Sequence, residues 1–116
     1  MKNIYVICPV RKATHQEQVI MDEYVSRLER AGHYVHYPPR DVPQDDPVVD
    51  ICTAHGKAMK KCTDVHVFWD AKSTGSHFDL GMAYMLGKPV EIAAVFTRND
   101  PEDKSYYDLL LWMSEK

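Results

Sequence analysis

Short apolar runs alternating with helix-period segments constrain this chain more than any other feature. Asn3, Ile4, Tyr5, Val6, Ile7 and Cys8 form one run, closed by Pro9; Asp64 to Trp69 and Pro89 to Phe96 form two more. Each is too short for a helix and lacks a polar face, the pattern of a strand buried on both sides. Between the first two runs, Val19, Ile20, Tyr24, Leu28 and Ala31 recur at helical spacing, after Thr14 as N-cap with Glu17 three residues on, and Gly32 ends the pattern. His33 to Tyr37 alternates as a second strand before Pro38 and Pro39.

Pro38 to Val49 carries Pro43, Pro47, Asp41, Asp45 and Asp46 and is too irregular for an element, so it is expected to be a site-covering loop. Asp50 is expected to cap a helix whose buried stripe is Ile51, Ala54, His55, Ala58 and Cys62. Asp70 to Ser76 reads as loop, His77 to Leu86 as helix stopped by Gly87, and Lys104 to Glu115 as a last, strongly apolar helix.

Strands alternating with helices at about 30-residue spacing predict a parallel sheet covered on both faces by right-handed crossovers. The expected order is 2-1-3-4. Ligands of such sheets bind beyond the carboxyl ends of the strands at the switch point, here between the first and third strands. Cys8 to Thr14 is thereby set beside Trp69 to Asp79.

At 116 residues the chain fits one domain, residues 1–116. Hydrophobic residues at 45% and charged residues at 27% suit a folded protein. A formal charge of −3 offers no basic field for a nucleic-acid polymer. No apolar run reaches the roughly 20 residues of a spanning helix and no leader is evident, so no membrane role and a cytoplasmic location are expected. Cys8, Cys52 and Cys62 lack metal or disulfide spacing and read as reduced thiols. The histidines form no ligand set: His33 and His36 share no face, and His15, His55 and His66 are dispersed.

Ser73, Thr74, Gly75 and Ser76 precede a helix start, where N–H groups, hydroxyls and the helix dipole can hold an anion. The same residues also suit an ordinary capped loop, with Ser76 as N-cap and Asp79 at the third helical position. Asp79 is one turn into that helix, where its carboxylate could meet the oxocarbenium character of a breaking glycosidic bond or simply complement the dipole. Asp70, at the carboxyl end of the third strand, could bind a sugar hydroxyl or donate a proton. Tyr5 could send its hydroxyl toward Asp79 or serve as a core tyrosine. Arg11 and Lys12 could reach a phosphate or stay solvated. His77 borders the loop, and Trp69 and Phe78 flank it as base-stacking or core aromatics.

Tyr5 in a strand ending at Cys8 and Pro9, the strand Asp64 to Trp69, then Ser73-x-Gly75-x-x-x-Asp79-Leu80-Gly81-x-Ala83 and Gly87-Lys88-Pro89-Val90 together resemble the nucleoside 2-deoxyribosyltransferase superfamily. That superfamily includes the 2'-deoxynucleoside 5'-monophosphate N-glycosidases. The resemblance implies a flavodoxin-like, Rossmann-like three-layer α/β sandwich with a parallel sheet of four or five strands. It also implies a homodimer or higher homo-oligomer and a small-molecule nucleotide or nucleoside as partner; no cofactor and no metal are expected. The implied reaction is cleavage of an N-glycosidic bond through a sugar ester on a carboxylate.

The family's nucleophile, normally glutamate, falls on Asp79; its phosphate-loop serine and glycine fall on Ser73 and Gly75, and its orienting tyrosine on Tyr5. The expected site is therefore Asp79, Asp70 and Tyr5 for catalysis, with Ser73, Gly75, Ser76, Arg11, Pro9, Trp69 and His77 holding substrate. The retained serine and glycine favour 5'-monophosphates. The shorter carboxylate at Asp79 favours the alternative, a nucleotide-binding sensor of the same fold with weak or no catalysis.

Overall fold

The computed structural model describes residues 1–98 and 105–116. Its elements are β1 (Asn3–Ile7), α1 (His15–Arg30), β2 (Tyr34–His36), α2 (Pro38–Asp41), α3 (Val48–Lys61), β3 (Asp64–Asp70), α4 (Thr74–Met85), β4 (Val90–Thr97) and α5 (Tyr106–Ser114). The strands form one four-stranded, all-parallel sheet in the order β2-β1-β3-β4, as expected. Two-sided burial explains why β1 and β3 lack polar alternation. Ile4, Val6 and Phe68 join Met21 and Val25 of α1 on one face. Tyr5, Ile7, Val65, Val67 and Trp69 join Met59, Leu80, Ala83, Leu110 and Met113 of α3, α4 and α5 on the other.

The start of α1 follows the local signal. Thr14 accepts from the Glu17 N–H at 3.1 Å, and the Glu17 carboxylate accepts from the Thr14 N–H at 2.9 Å. Gly32, at φ 94°, leaves the helix in the left-handed conformation that glycine reaches without Cβ strain.

The buried face of α1 differs from the expected one. Met21 and Val25 are buried, whereas Val19 and Ile20 are 41% and 42% exposed and Ala31 is exposed. Apolar residues at 19, 20, 21, 24, 25 and 28 spread over more than one face, so periodicity alone does not choose between neighbouring stripes. Contact with Val6, Val35 and Phe68 chooses the stripe of Met21 and Val25.

Four boundaries also shift. Pro38 to Val49 is not wholly loop: it contains α2 and the start of α3. The Arg40 guanidinium ties it down by bonding Asp41 at 2.8 Å, Glu29 of α1 at 3.0 Å and the Val35 carbonyl at 3.1 Å. The N-cap of α3 is Pro47, not Asp50, which sits in the first turn as a dipole-complementing acid. The N-cap of α4 is Ser73, not Ser76, so Thr74, Gly75 and Ser76 belong to its first turn. The last helix runs Tyr106–Ser114 with Ser105 as N-cap; the expected start at Lys104 lies outside the described residues.

The choice of stripe on α1 is testable by denaturant unfolding. Met21→Ala should cost about 2–5 kcal/mol, the range for emptying a closed core position. Ile20→Ala should cost less than about 1 kcal/mol, because its side chain is already half in water. Equal costs would mean that α1 packs on another face.

Candidate active site

The chain leaves β3 at its carboxyl end, turns through Ala71 and Lys72, and enters α4 at Ser73. The Ser73 hydroxyl accepts from the Ser76 N–H at 3.3 Å and lies 2.9 Å from the Ser76 hydroxyl. With the cap at Ser73, Asp79, Leu80 and Ala83 fall on the inward face of α4. Leu80 and Ala83 pack on the sheet, while Asp79 brings a carboxylate into the same buried layer at 4% exposure.

A carboxylate taken from water needs donors in its place. Two side chains from distant segments supply them. The Tyr5 hydroxyl donates to Oδ2 of Asp79 at 2.9 Å, and Nδ1 of His55 lies 3.1 Å from Oδ1. Tyr5 is fully buried and His55 is 8% exposed. Burial pushes the Tyr5 phenol far above its ordinary pKa, and the charge of Asp79 and the bond to it add to the rise, so Tyr5 remains a donor.

His36, paired in register with Tyr5 across β1 and β2, packs against it with ring centres 5.0 Å apart and planes tilted by 30°. His55 meets both rings edge-on, at 6.1 Å from Tyr5 and 6.3 Å from His36. Burial, the largest influence, and the nearby His55 lower the pKa of His36 against the opposing pull of Asp41 and Asp79. Cys8, at the end of β1, is buried beside the same carboxylate; both effects push its thiol up, away from the reactive thiolate.

The other expected site residues lie along the carboxyl ends of β1 and β3, which are paired neighbours. Asp70 is buried; its Oδ1 accepts from the Thr97 hydroxyl at 2.7 Å and from the Lys72 N–H at 2.9 Å, joining the end of β3 to β4 and to the turn into α4. Gly75 is exposed in the first turn, and a Cβ built on it would meet nothing within 4 Å. Protein packing therefore does not require glycine there.

His77 is half-buried and is held by a 2.7 Å bond between Nδ1 and the Ser73 carbonyl, with its ring 4.7 Å from Trp69 and 5.3 Å from Tyr106. Trp69 is wholly enclosed and Phe78 is 48% exposed. Pro9 is buried after β1. Arg11 is exposed and donates to the Gln44 carbonyl at 2.9 Å, which links the β1–α1 connection to the segment between α2 and α3. Among the described residues no three His, Cys, Asp or Glu side chains are grouped to hold a metal ion.

Sequence reasoning overlooked His36 and His55. It treated the histidines as dispersed, yet two of them converge on the Tyr5 and Asp79 pair. A signal for His55 existed: it is the one strongly polar side chain in the expected stripe of α3, and a buried histidine calls for a polar partner. For His36 the signal appears only with the β1–β2 register.

No family model and no curated protein matches the chain by sequence. Solved structures do match it in shape. The 2-deoxyribosyltransferase of Bacillus psychrosaccharolyticus superposes with a TM-score of 0.69 over 92% of this chain and 89% of its own, at 16% identity. The CMP N-glycosidase of Clostridium botulinum does so with a TM-score of 0.65 over 96% of this chain and 81% of its own, at 22% identity. At these identities the likeness is one of fold: the three-layer architecture that carries Tyr5, His55 and Asp79 is shared by a 2-deoxyribosyltransferase and a CMP N-glycosidase.

Proposed function

We propose that the chain is an N-glycosidase or 2-deoxyribosyltransferase acting on a (deoxy)nucleoside 5'-monophosphate, with Asp79 as nucleophile. The observation that carries this reading is the Asp79 carboxylate, buried one turn inside α4 with a separate donor on each oxygen. A carboxylate has about four lone-pair sites and these bonds engage two, so lone pairs remain for a sugar carbon. The shared fold with a nucleoside-processing transferase and a nucleotide N-glycosidase supports the same reaction class.

In the first step an Asp79 oxygen bonds to C1' of the sugar as the C1'–N bond breaks. The electron pair of that bond leaves with the base, which takes a proton from a general acid. Positive charge develops on the sugar ring in the transition state, next to the negative carboxylate. Asp70, in its protonated form, is the candidate acid. In the second step water, or the nitrogen of a second base, attacks C1' and releases Asp79, and the proton of the attacker passes to the Asp70 carboxylate.

The first turn of α4 offers N–H groups that no helical carbonyl can satisfy, on the positive end of the helix dipole, and a 5'-phosphate fits that chemistry. Ser73, Gly75 and Ser76 would form this cradle. Arg11, whose bond to Gln44 is exposed, would turn to the phosphate, with Pro9 and His77 lining the site; Trp69, expected there too, is enclosed in the core and backs the His77 ring from behind. A homodimer in the cytoplasm remains part of the proposal.

A panel of ribo- and deoxyribonucleoside monophosphates, with released base followed by chromatography, tests this reading. Asp79→Asn should reduce base release by more than about a hundredfold, the behaviour of a lost nucleophile. Asp70→Asn keeps the oxygen that accepts from Thr97 and Lys72, so the fold should persist while kcat falls about 10²–10⁴-fold with the lost proton transfer. Unchanged turnover in Asp79→Asn overturns the nucleophile assignment.

A nucleotide sensor is the second reading, favoured by the shorter carboxylate at Asp79. It predicts thermal stabilisation by monophosphates with no base released from any of them.

A further inference from the structure

We propose that His55 is a positioning residue that holds the Asp79 carboxylate in the orientation needed for attack. The inference rests on the proposed role of Asp79 and goes beyond it to a residue on another helix.

A carboxylate can only accept, so a 3.1 Å contact with Oδ1 requires the proton on Nδ1 of His55, donating to Asp79. His55 lies with Ala58, Met59 and Cys62 on the face of α3 that turns to the core, where an apolar side chain would pack without desolvation cost. His55 is buried, at 8% exposure, and its second nitrogen, Nε2, is without a partner among the described residues. A polar ring that leaves one nitrogen unpartnered in the interior is costly for packing alone. Its bond to Asp79 is the offsetting interaction.

The two donors reach Asp79 from different elements, Tyr5 from β1 and His55 from α3, and each addresses a different oxygen. Rotation of the carboxylate about its Cβ–Cγ bond would break both. The edge-on contact of His55 with Tyr5, and the tilted packing of His36 against Tyr5, close the ring cluster so that one donor cannot shift without pushing the other. A misplacement of about 1 Å at a reacting group can cost about a hundredfold in rate. An aspartate has one torsion fewer than the glutamate of the resemblance and cannot stretch to correct its own position. Its orientation must come from neighbours, and His55 is the neighbour on Oδ1.

Substitution and NMR separate this role from mere packing. In the full chain, ¹⁵N spectra of the His55 ring, assigned by its loss in His55→Asn, should find the proton on Nδ1. A ring protonated only on Nε2 overturns the proposal, whatever the protein does to nucleotides.

Against the nucleoside monophosphate that releases base, His55→Leu should lower kcat at least about tenfold with KM within about twofold. His55→Asn, whose amide nitrogen stands where Nδ1 stands, should remain within about threefold of the parent. Should the leucine variant fail to fold, His55→Gln, with its amide one bond farther out, takes its place in the comparison. Turnover unchanged in the leucine or glutamine variant overturns the positioning role and leaves the nucleophile assignment intact. If the parent protein releases no base, the proposed function fails, and the ring tautomer alone decides whether His55 holds Asp79.

Discussion

The structure turns on one buried carboxylate. Asp79 sits in the layer between the sheet and its helices, where an unpartnered charge would cost several kcal/mol. Its two donors come from 74 residues earlier in the chain and from 24 residues earlier. Those bonds therefore exist only when β1 lies beside β3 and α3 lies beside α4. The apolar layer makes that arrangement favourable by burying Tyr5, Met59, Trp69 and Leu80 together. The polar cluster then selects one alignment of it, because sliding α3 or α4 by one residue strands a charge. Such polar contacts add specificity to a core whose hydrophobic part tolerates several arrangements.

Around this point the fold separates support from access. The ends of β1 and β3 meet at the switch point, and the helix entered from β3 presents its first-turn N–H groups there. Asp70 serves the scaffold on one oxygen by binding Thr97 and Lys72. That double tie explains how the turn after β3 keeps its shape although Lys72 within it is exposed. On the other side of the sheet, Arg40 joins the segment after β2 to α1, and Arg11 joins it to the loop after β1. A stretch read from prolines and acids as too irregular for an element is instead fastened at Arg40 and at Gln44.

Much of this was legible before any coordinates. The apolar runs identified three strands, and the spacing between elements required parallel pairing in the order that is found. Thr14 with Glu17 marked the start of α1, since a capping box satisfies orphan N–H groups within four residues of chain. Local rules failed where two local solutions were equally good. Ser73 and Ser76 can each cap a helix, and both Ile20 and Met21 can head an apolar stripe. Propensity scores such pairs alike, and packing against the sheet separates them.

By itself, then, the sequence determined the elements, their order in the sheet and the end of the sheet where chemistry belongs, because periodicity, caps and crossover handedness act over short stretches of chain. Only the tertiary structure decided between the two roles open to Tyr5, a bond to Asp79 or plain core packing, and that His55 is the second group to meet that carboxylate. It also decided that His36 joins them through its register with Tyr5. The reason is physical: a lone aspartate or histidine on a helix carries no mark of its partner. The partner is chosen by the cost of burying each polar group without the other.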